Sequence, residues 1–446
     1  MRETRGAPGW GGPVLWLVVA ALLVTPGVAR ASGADSGPDP DPTPAPTPAP
    51  AATTAPVAAP ATQDAAAATA AGPRLDIYGF AMLDMGYQTK QNDPNWFDVV
   101  RPTKLPAFPN QYGEDGHFYA GVRQSRLGVK GFIPTEAGEI KTIFEFELFG
   151  TGVDAGQTTF RLRHAWGELG QVGAGQTWSP FMDIDVFPNS VEYWGPNGMV
   201  FFRNVQLRWT PWSKGDSRFA IALERPGASA DQGDFAGRIA LQDVKGRFPL
   251  PDLSAHYRRA GGWGHVQFSG IVRQMKWDDL NTDQFDLSGD ATGWGLNLSS
   301  NIKIAKKHVA RLSVVYGEGI QNYMNDAPVD VGIERNFSNP RTPVVGKALP
   351  LVGIVAFLDL NWNAKWTSTV GYSMIDIDNS DGQSDDAIKR GQYALANLLY
   401  YPTPSVFLGP EIQWGKRENF RDGFTSDDVR IQFSVKYNFK YQLGGK

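Results

Sequence analysis

The residues that would carry acid–base or metal chemistry are five histidines, His117, His164, His256, His265 and His308. None stands in the H-E-x-x-H spacing that sets two imidazoles on one helical face around zinc. No G-x-S-x-G turn presents a serine nucleophile, and no glycine-rich loop cradles phosphate. Cysteine is absent, which excludes thiol nucleophiles, disulfides, thiolate metal sites and a lipid-bearing cysteine. The acidic run Asp376, Asp378, Asp381, Asp385 and Asp386 gathers oxygen donors of the kind calcium takes. Gly382 falls one position late for an EF-hand loop, so the run is expected to be a solvated loop. The expectation is therefore no enzyme, no cofactor and no bound metal.

The charged residues instead recur at every second place, which is a pattern of walls rather than of catalytic sites. Val429, Ile431, Phe433, Val435, Tyr437, Phe439 and Tyr441 alternate with Arg430, Gln432, Ser434, Lys436, Asn438 and Lys440. Phe144, Phe146 and Leu148 oppose Glu145 and Glu147. Phe160, Leu162 and Trp166 oppose Arg161 and Arg163. Val205, Leu207 and Trp209 oppose Gln206 and Arg208, and Phe219, Ile221 and Leu223 oppose Arg218 and Glu224. Such strands suit a sheet with lipid on one side and water on the other.

A face carrying that many charges is not a packed core, because unpaired buried charge is prohibitive, so a water-filled lumen is expected. By alternation Arg126, Lys130, Arg161, Arg163, Arg208, Arg218, Arg258, Arg273, Arg311, Arg430 and Lys436 face it. Asp76, Asp84, Glu145, Glu147, Glu224, Asp359 and Glu411 face it with opposite sign. The basic excess predicts a preference for anions, since cations in a narrow bore raise local anion concentration. The alternative is that arginine and glutamate pair across the wall and hold the bore open.

One loop differs from the rest. From Gly175 through Trp178, Phe181, Asp183, Asp185, Glu192 and Trp194 to Gly198, its aromatic and acidic content is too apolar for a free loop, so it is expected to fold into the bore. There Asp183, Asp185 and Glu192 would face the wall arginines and set a transverse field. The competing reading is a packed cap on the barrel mouth.

The elements that must position these residues follow from composition. Aromatic residues make up 12% of the chain and glycines number 50, yet past the first segment no apolar run is long enough for a membrane helix, which points to many strands. About sixteen period-two segments follow Arg74, each near the length a tilted strand needs to cross a bilayer. Short turns at 134–138, 260–262, 305–307 and 402–404 alternate with long loops at 89–115, 278–290, 320–349 and 377–389. The fold class is an all-β transmembrane antiparallel barrel over 74–446, with long extracellular loops, short periplasmic turns and one loop in the lumen.

Before the barrel, Arg2, Arg5, a short apolar run from Val14 to Val24 and Ala29-Arg30-Ala31 predict a cleaved signal peptide over 1–31. Residues 32–73, rich in Pro and Ala, predict a disordered periplasmic linker with polyproline character. Export to the bacterial outer membrane is the expected localisation, with membrane lipid as a partner. A net charge of −4 spread over 446 residues argues against a nucleic-acid partner.

Three motifs resemble a known family: Ile77-Tyr-Gly-Phe80, Arg123-Gln-Ser-Arg-Leu-Gly-Val-Lys-Gly131 and Gly175-Gln-Thr-Trp-Ser-Pro-Phe-Met-Asp183. Together with Gly195-Pro196 and the segment Arg203 to Thr210, the chain resembles DcaP-like trimeric porins over Arg74 to Tyr441. The resemblance implies a sixteen-stranded barrel, a homotrimer, and uptake of small, often anionic, organic molecules such as dicarboxylates. It implies a constriction at Asp183 to Gly198 with Arg126, Lys130, Arg203 and Arg208 in the bore, although Arg203 stands on the apolar parity of its strand. Residues 32–73 show no heptads, a departure from the coiled-coil segment common in the family. Three functions are thus in view: a passive channel for small hydrophilic solutes, a phosphate- or anion-specific porin with saturable sites, and a structural barrel tethering the envelope, with the linker reaching peptidoglycan.

Overall fold

Two-faced strands can satisfy every edge N–H and C=O in a membrane only by closing on themselves. The computed structural model describes residues 72–445 and has that form. The expected signal segment and all but the last two residues of the expected linker lie outside the described residues.

The wall begins with β1 (Arg74–Gln88), β2 (His117–Gly121), β3 (Arg126–Thr135), β4 (Gly138–Phe149), β5 (Thr158–Leu169) and β6 (Val172–Trp178). It continues through β7 (Arg203–Lys214), β8 (Ser217–Glu224), β9 (Val244–Arg247), β10 (Asp252–Gly261), β11 (Gly264–Asp279), β12 (Gly289–Ile304) and β13 (His308–Glu318). A hairpin of β14 (Val331–Arg335) and β15 (Val344–Ala348) stands apart as its own two-stranded sheet. The circuit finishes with β16 (Pro350–Asn361), β17 (Trp366–Ile377), β18 (Ile388–Asn397), β19 (Leu399–Thr403), β20 (Val406–Asn419) and β21 (Thr425–Gly444).

Strands β2 and β3 are halves of one wall strand, as are β18 and β19, and β9 is a short addition beside β11. That leaves sixteen wall strands, all antiparallel to their neighbours. Closure is by β1 against β21, in continuous register from Arg74↔Gly444 to Gln88↔Arg430. Turns of a few residues occupy one end. The connections 89–116, 179–202, 225–251, 280–288, 319–349 and 378–387 occupy the other. Two differ from expectation: 320–349 carries the β14–β15 hairpin, and the long connection 225–251, not foreseen, carries β9.

Alternation sorts the faces. Phe144, Phe146, Phe160, Leu207, Phe268, Leu298, Val314 and Ile431 point outward and are exposed. Each would gain about 1.5–3 kcal/mol by leaving water, so this surface is built for hydrocarbon. Outward aromatic pairs mark its borders: Trp366 and Tyr400 at the short-turn end, ring centres 4.7 Å apart, and Trp294 and Tyr316 at the long-loop end, 5.8 Å apart. Inward, Glu145, Glu147, Arg163, Gln267, Ser299, Thr369, Gln413 and Arg430 are buried.

One face assignment is corrected. Pairing steps from Glu145↔His164 to Phe146↔Leu162, so Arg163 is an extra residue, a β-bulge. Residues beyond it switch parity. Trp166, expected outward with Phe160 and Leu162, is buried inside the wall beneath the Arg208 guanidinium, 5.2 Å from the ring centre.

Candidate functional site

The connection 179–202 leaves β6 and crosses the barrel interior before rejoining at β7, and its polar bonds go to wall strands around most of the circumference. Its base is fixed first. Ser179 donates to Glu224 on β8 at 2.6 Å, and the carbonyls of Phe181 and Met182 accept from Ser269 and Gln267 on β11 at 2.7 and 2.9 Å. Asp183 then receives Arg258 Nη1 at 3.1 Å and Ser299 Oγ at 2.7 Å, with His265 Nε2 2.6 Å away. Burial alone would push the Asp183 carboxyl up. The His265 hydrogen bond and the charges of His265 and Arg258 outweigh it and hold the group at about 2. Asp185 pairs with the second arm of Arg258 and remains partly exposed.

The middle and tip are held on the opposite wall. Asn189 binds Asp359 on β16, Thr367 on β17 and Tyr401 on β19. Glu411 on β20 gathers Ser190 Oγ at 2.8 Å and the backbone N–H groups of Val191 and Glu192 at 3.0 and 3.1 Å. Glu192 in turn pairs with Arg430 at 3.2 Å and accepts from Val100 N and Gly195 N. Its carboxyl is raised by burial, with Arg430 opposing and Glu411 adding to the rise. Tyr193 donates to Glu147 at 2.6 Å and stacks on Phe149.

Two glycines are required here by space. Gly195 has φ +80°, and a Cβ would fall 2.2 Å from the Phe187 ring. Gly198 lies so close to β16 and β17 that a Cβ would sit 2.1 Å from the Met374 carbonyl oxygen. Above the tip, Arg101 is sandwiched between Trp96 and Trp194, 4.2 and 4.0 Å from their ring centres, and pairs with Asp326 at 2.9 Å.

Of the expected site residues, Arg126, Arg163 and Arg203 meet in one buried cluster. Arg126 lies 3.0 Å from Glu147, Arg163 2.6 Å from Glu145 and 2.8 Å from Glu147, and Arg203 3.8 Å from Glu147. Arg203 is buried despite its parity, at the first residue of β7 and in register opposite Trp178 of β6. Arg161 borders the cluster and is half-buried. Arg273 is apart from these, clamped between Asp252 and Asp330 and the carbonyls of Gly319 and Gly227. Arg311 binds Asp359 and the Asp185 carbonyl. Lys130 is exposed in the short-turn half, 5.0 Å above the Tyr78 ring.

Arg208 and Arg218 differ from most of these in having no carboxylate partner among the described residues. Arg208 donates to Gln206 Oε1 and the Trp178 carbonyl, and Arg218 to His256 Nε2 at 3.2 Å. At the level of the crossing segment, partial exposure persists at Arg161, Trp178, Ile184, Asp185, Phe202 and Arg208, beside β5–β8. The acids Asp98, Asp252, Asp326 and Asp330, which also neutralise arginines, were not foreseen. Asp326 and Asp330 lie in the polar connection 319–349, where nothing in the local pattern marks an inward side chain.

The sequence matches the DcaP outer membrane protein family over residues 110–439. The chain belongs to that family. This DcaP-family barrel is an outer-membrane porin. Its fold is similar to the crystal structure of the outer membrane channel DcaP of Acinetobacter baumannii, at 20% identity and a TM-score of 0.68, covering 82% of this chain and 98% of that one. It is also similar to an anion-selective porin from Comamonas acidovorans, at 10% identity and a TM-score of 0.53, covering 82% of this chain and all of that one. No curated protein matches the sequence.

Proposed function

We propose that this porin is a passive diffusion channel for small hydrophilic organic anions. Its passage follows the inner wall of β5–β8 past the segment 179–202. The observation that carries the reading is the placement of Arg208 and Arg218, wall guanidiniums without an ion pair among the described residues, on the side where exposure persists. Asp185, a partly exposed acid paired with Arg258 beside Arg218, adds the opposite charge at the same level. A solute shedding part of its hydration there meets positive charge in a low-dielectric bore, which favours anions over cations of similar size.

The buried pairs of Arg126, Arg163, Arg273 and Arg311 serve a different purpose in this account. They hold the wall and the crossing segment rigid, so the alternative expected from sequence, pairing across the wall, applies to those arginines. The remaining parts of the reading are export by the segment 1–31, a linker over 32–73 reaching toward peptidoglycan, long loops facing outward from the cell, and assembly as a homotrimer. The outward apolar belt with its aromatic borders supports placement in a membrane. The test of selectivity is the reversal potential of the reconstituted full chain under a potassium chloride gradient. An anion-favouring potential is expected, and a cation-favouring one would remove the anionic reading.

A further inference from the structure

Outside the crossing segment, the described residues contain a second preformed space at the long-loop end of the barrel. Its volume is about 270 Å³. The floor is Met275 and Trp277 at the upper end of β11, on the parity of inward Arg273. The sides are Leu241, Val244 and Phe248 from the connection 225–251, Leu287, and the β14–β15 hairpin through Val331, Ile333 and Val344. Directly below, Arg273 ties Gly227 and Asp330 to the wall, and Ser229 bonds Asp330, so the pocket is built on a fixed base.

The lining determines the class of ligand. It is predominantly aliphatic and aromatic, and its one acid, Asp231, is already engaged by Gly233 N and Gln383 Nε2. Its one cation, Lys276, stands on the parity of β11 opposite to that of Met275 and Trp277, so the inward lining favours an uncharged ligand. The indole of Trp277 lies against Gly289 and Gly346, where a Cβ would come within 2.7 and 2.5 Å of its ring carbons, so the ring is fixed in place. Its N–H has no hydrogen-bond partner among the described residues. A volume near the lower end for small-molecule sites, with apolar walls and few polar groups, fits one ring-sized molecule.

We propose that this pocket binds a small neutral aromatic molecule at the long-loop mouth, a site separate from the arginine-lined passage. Its use as a capture site for permeating solutes rests on the channel reading; the binding itself does not.

The experiment is calorimetric titration of the full chain in lipid nanodiscs with p-cresol, with empty nanodiscs titrated as the blank. Gly246→Leu is the blocking variant. Gly246 lines the pocket, its φ is unstrained, and a Cβ there meets only the Phe248 ring at ordinary contact distance, 3.5 Å. Saturable binding with one site per chain is expected, weakened about tenfold or more in Gly246→Leu and reduced in Phe248→Ala. Heat-modifiable gel migration identifies any variant that fails to fold, and Phe248→Ala then decides. Heat no greater than the blank, or saturable binding unchanged in both folded variants, would overturn the proposal. Conductance recorded on the same preparation separates the two readings, since a silent barrel that binds p-cresol would refute the channel and leave the pocket standing.

Discussion

Replacing Asp183 by alanine should open the channel by freeing the base of the crossing segment. The side chain is buried and collects Arg258, Ser299 and the His265 contact in one place. Removing one member of a buried charged pair costs about 3–5 kcal/mol, because the other is left uncompensated. Arg258 keeps Asp185, so the low end, about 3 kcal/mol, is the appropriate figure. That is roughly a hundredfold change in the ratio of docked to released base. Glu411 still holds residues 190–192, so the tip stays while the base moves. The wall ladders are untouched and heat-modifiable migration should be unchanged. Single-channel recording should show higher conductance and larger open-state current noise than the parent, with Asp183→Asn intermediate because it keeps hydrogen bonding but loses charge. Parental conductance and noise in Asp183→Ala, with the barrel folded, would refute the idea that this anchor sets the opening.

Arg218→Glu changes two unit charges on the proposed passage; at about 1 kcal/mol each at contact distance in water, an anion there loses about 2 kcal/mol, roughly thirtyfold in local concentration, read as a shift of the reversal potential toward cations. Acid should act on the Asp183 anchor in one direction. A carboxyl held down at about 2 contributes about 2 kcal/mol that is fully present above pH 4 and is lost as pH falls from about 4 toward 2, so current noise should rise only in that window. Glu192 has the opposite sign, its raised pKa meaning that acid relieves rather than breaks its site. Tyr193→Phe removes a 2.6 Å hydrogen bond to buried Glu147 and should cost about 1–3 kcal/mol, seen as a lower temperature for the heat-modifiable transition.

Alternation makes much of the barrel legible in the sequence. In β21 and β4 the apolar residues do face out and the charged ones in, because a period of two leaves no other way to keep one face in hydrocarbon. It failed where an extra residue entered. The bulge at Arg163 cannot be seen in a pattern of types, since arginine, histidine and tryptophan are all tolerated on an inner wall, and so strict alternation puts Trp166 on the wrong face. The aromatic and acidic content of 175–198 marked the crossing segment. Its acids are legible as partners of wall arginines, but which arginine each one meets is not, because Asp183 meets His265 and Arg258 only through strand pairings far along the chain. The same holds for Arg101 and Asp326, joined across two connections whose local sequences carry no trace of each other.

The central claim is that water and small anions pass between the segment 179–202 and the β5–β8 wall. The chain has no cysteine, so single cysteines can be placed on a silent background. The direct measurement is single-channel current through Arg208→Cys and Arg218→Cys, before and after a bulky anionic thiol reagent, with Val314→Cys on the outward face as the control. Stepwise block at the two inner positions and none at the outer one is predicted. Absence of current in the parent, or current that the inner modifications leave unchanged, would contradict the account.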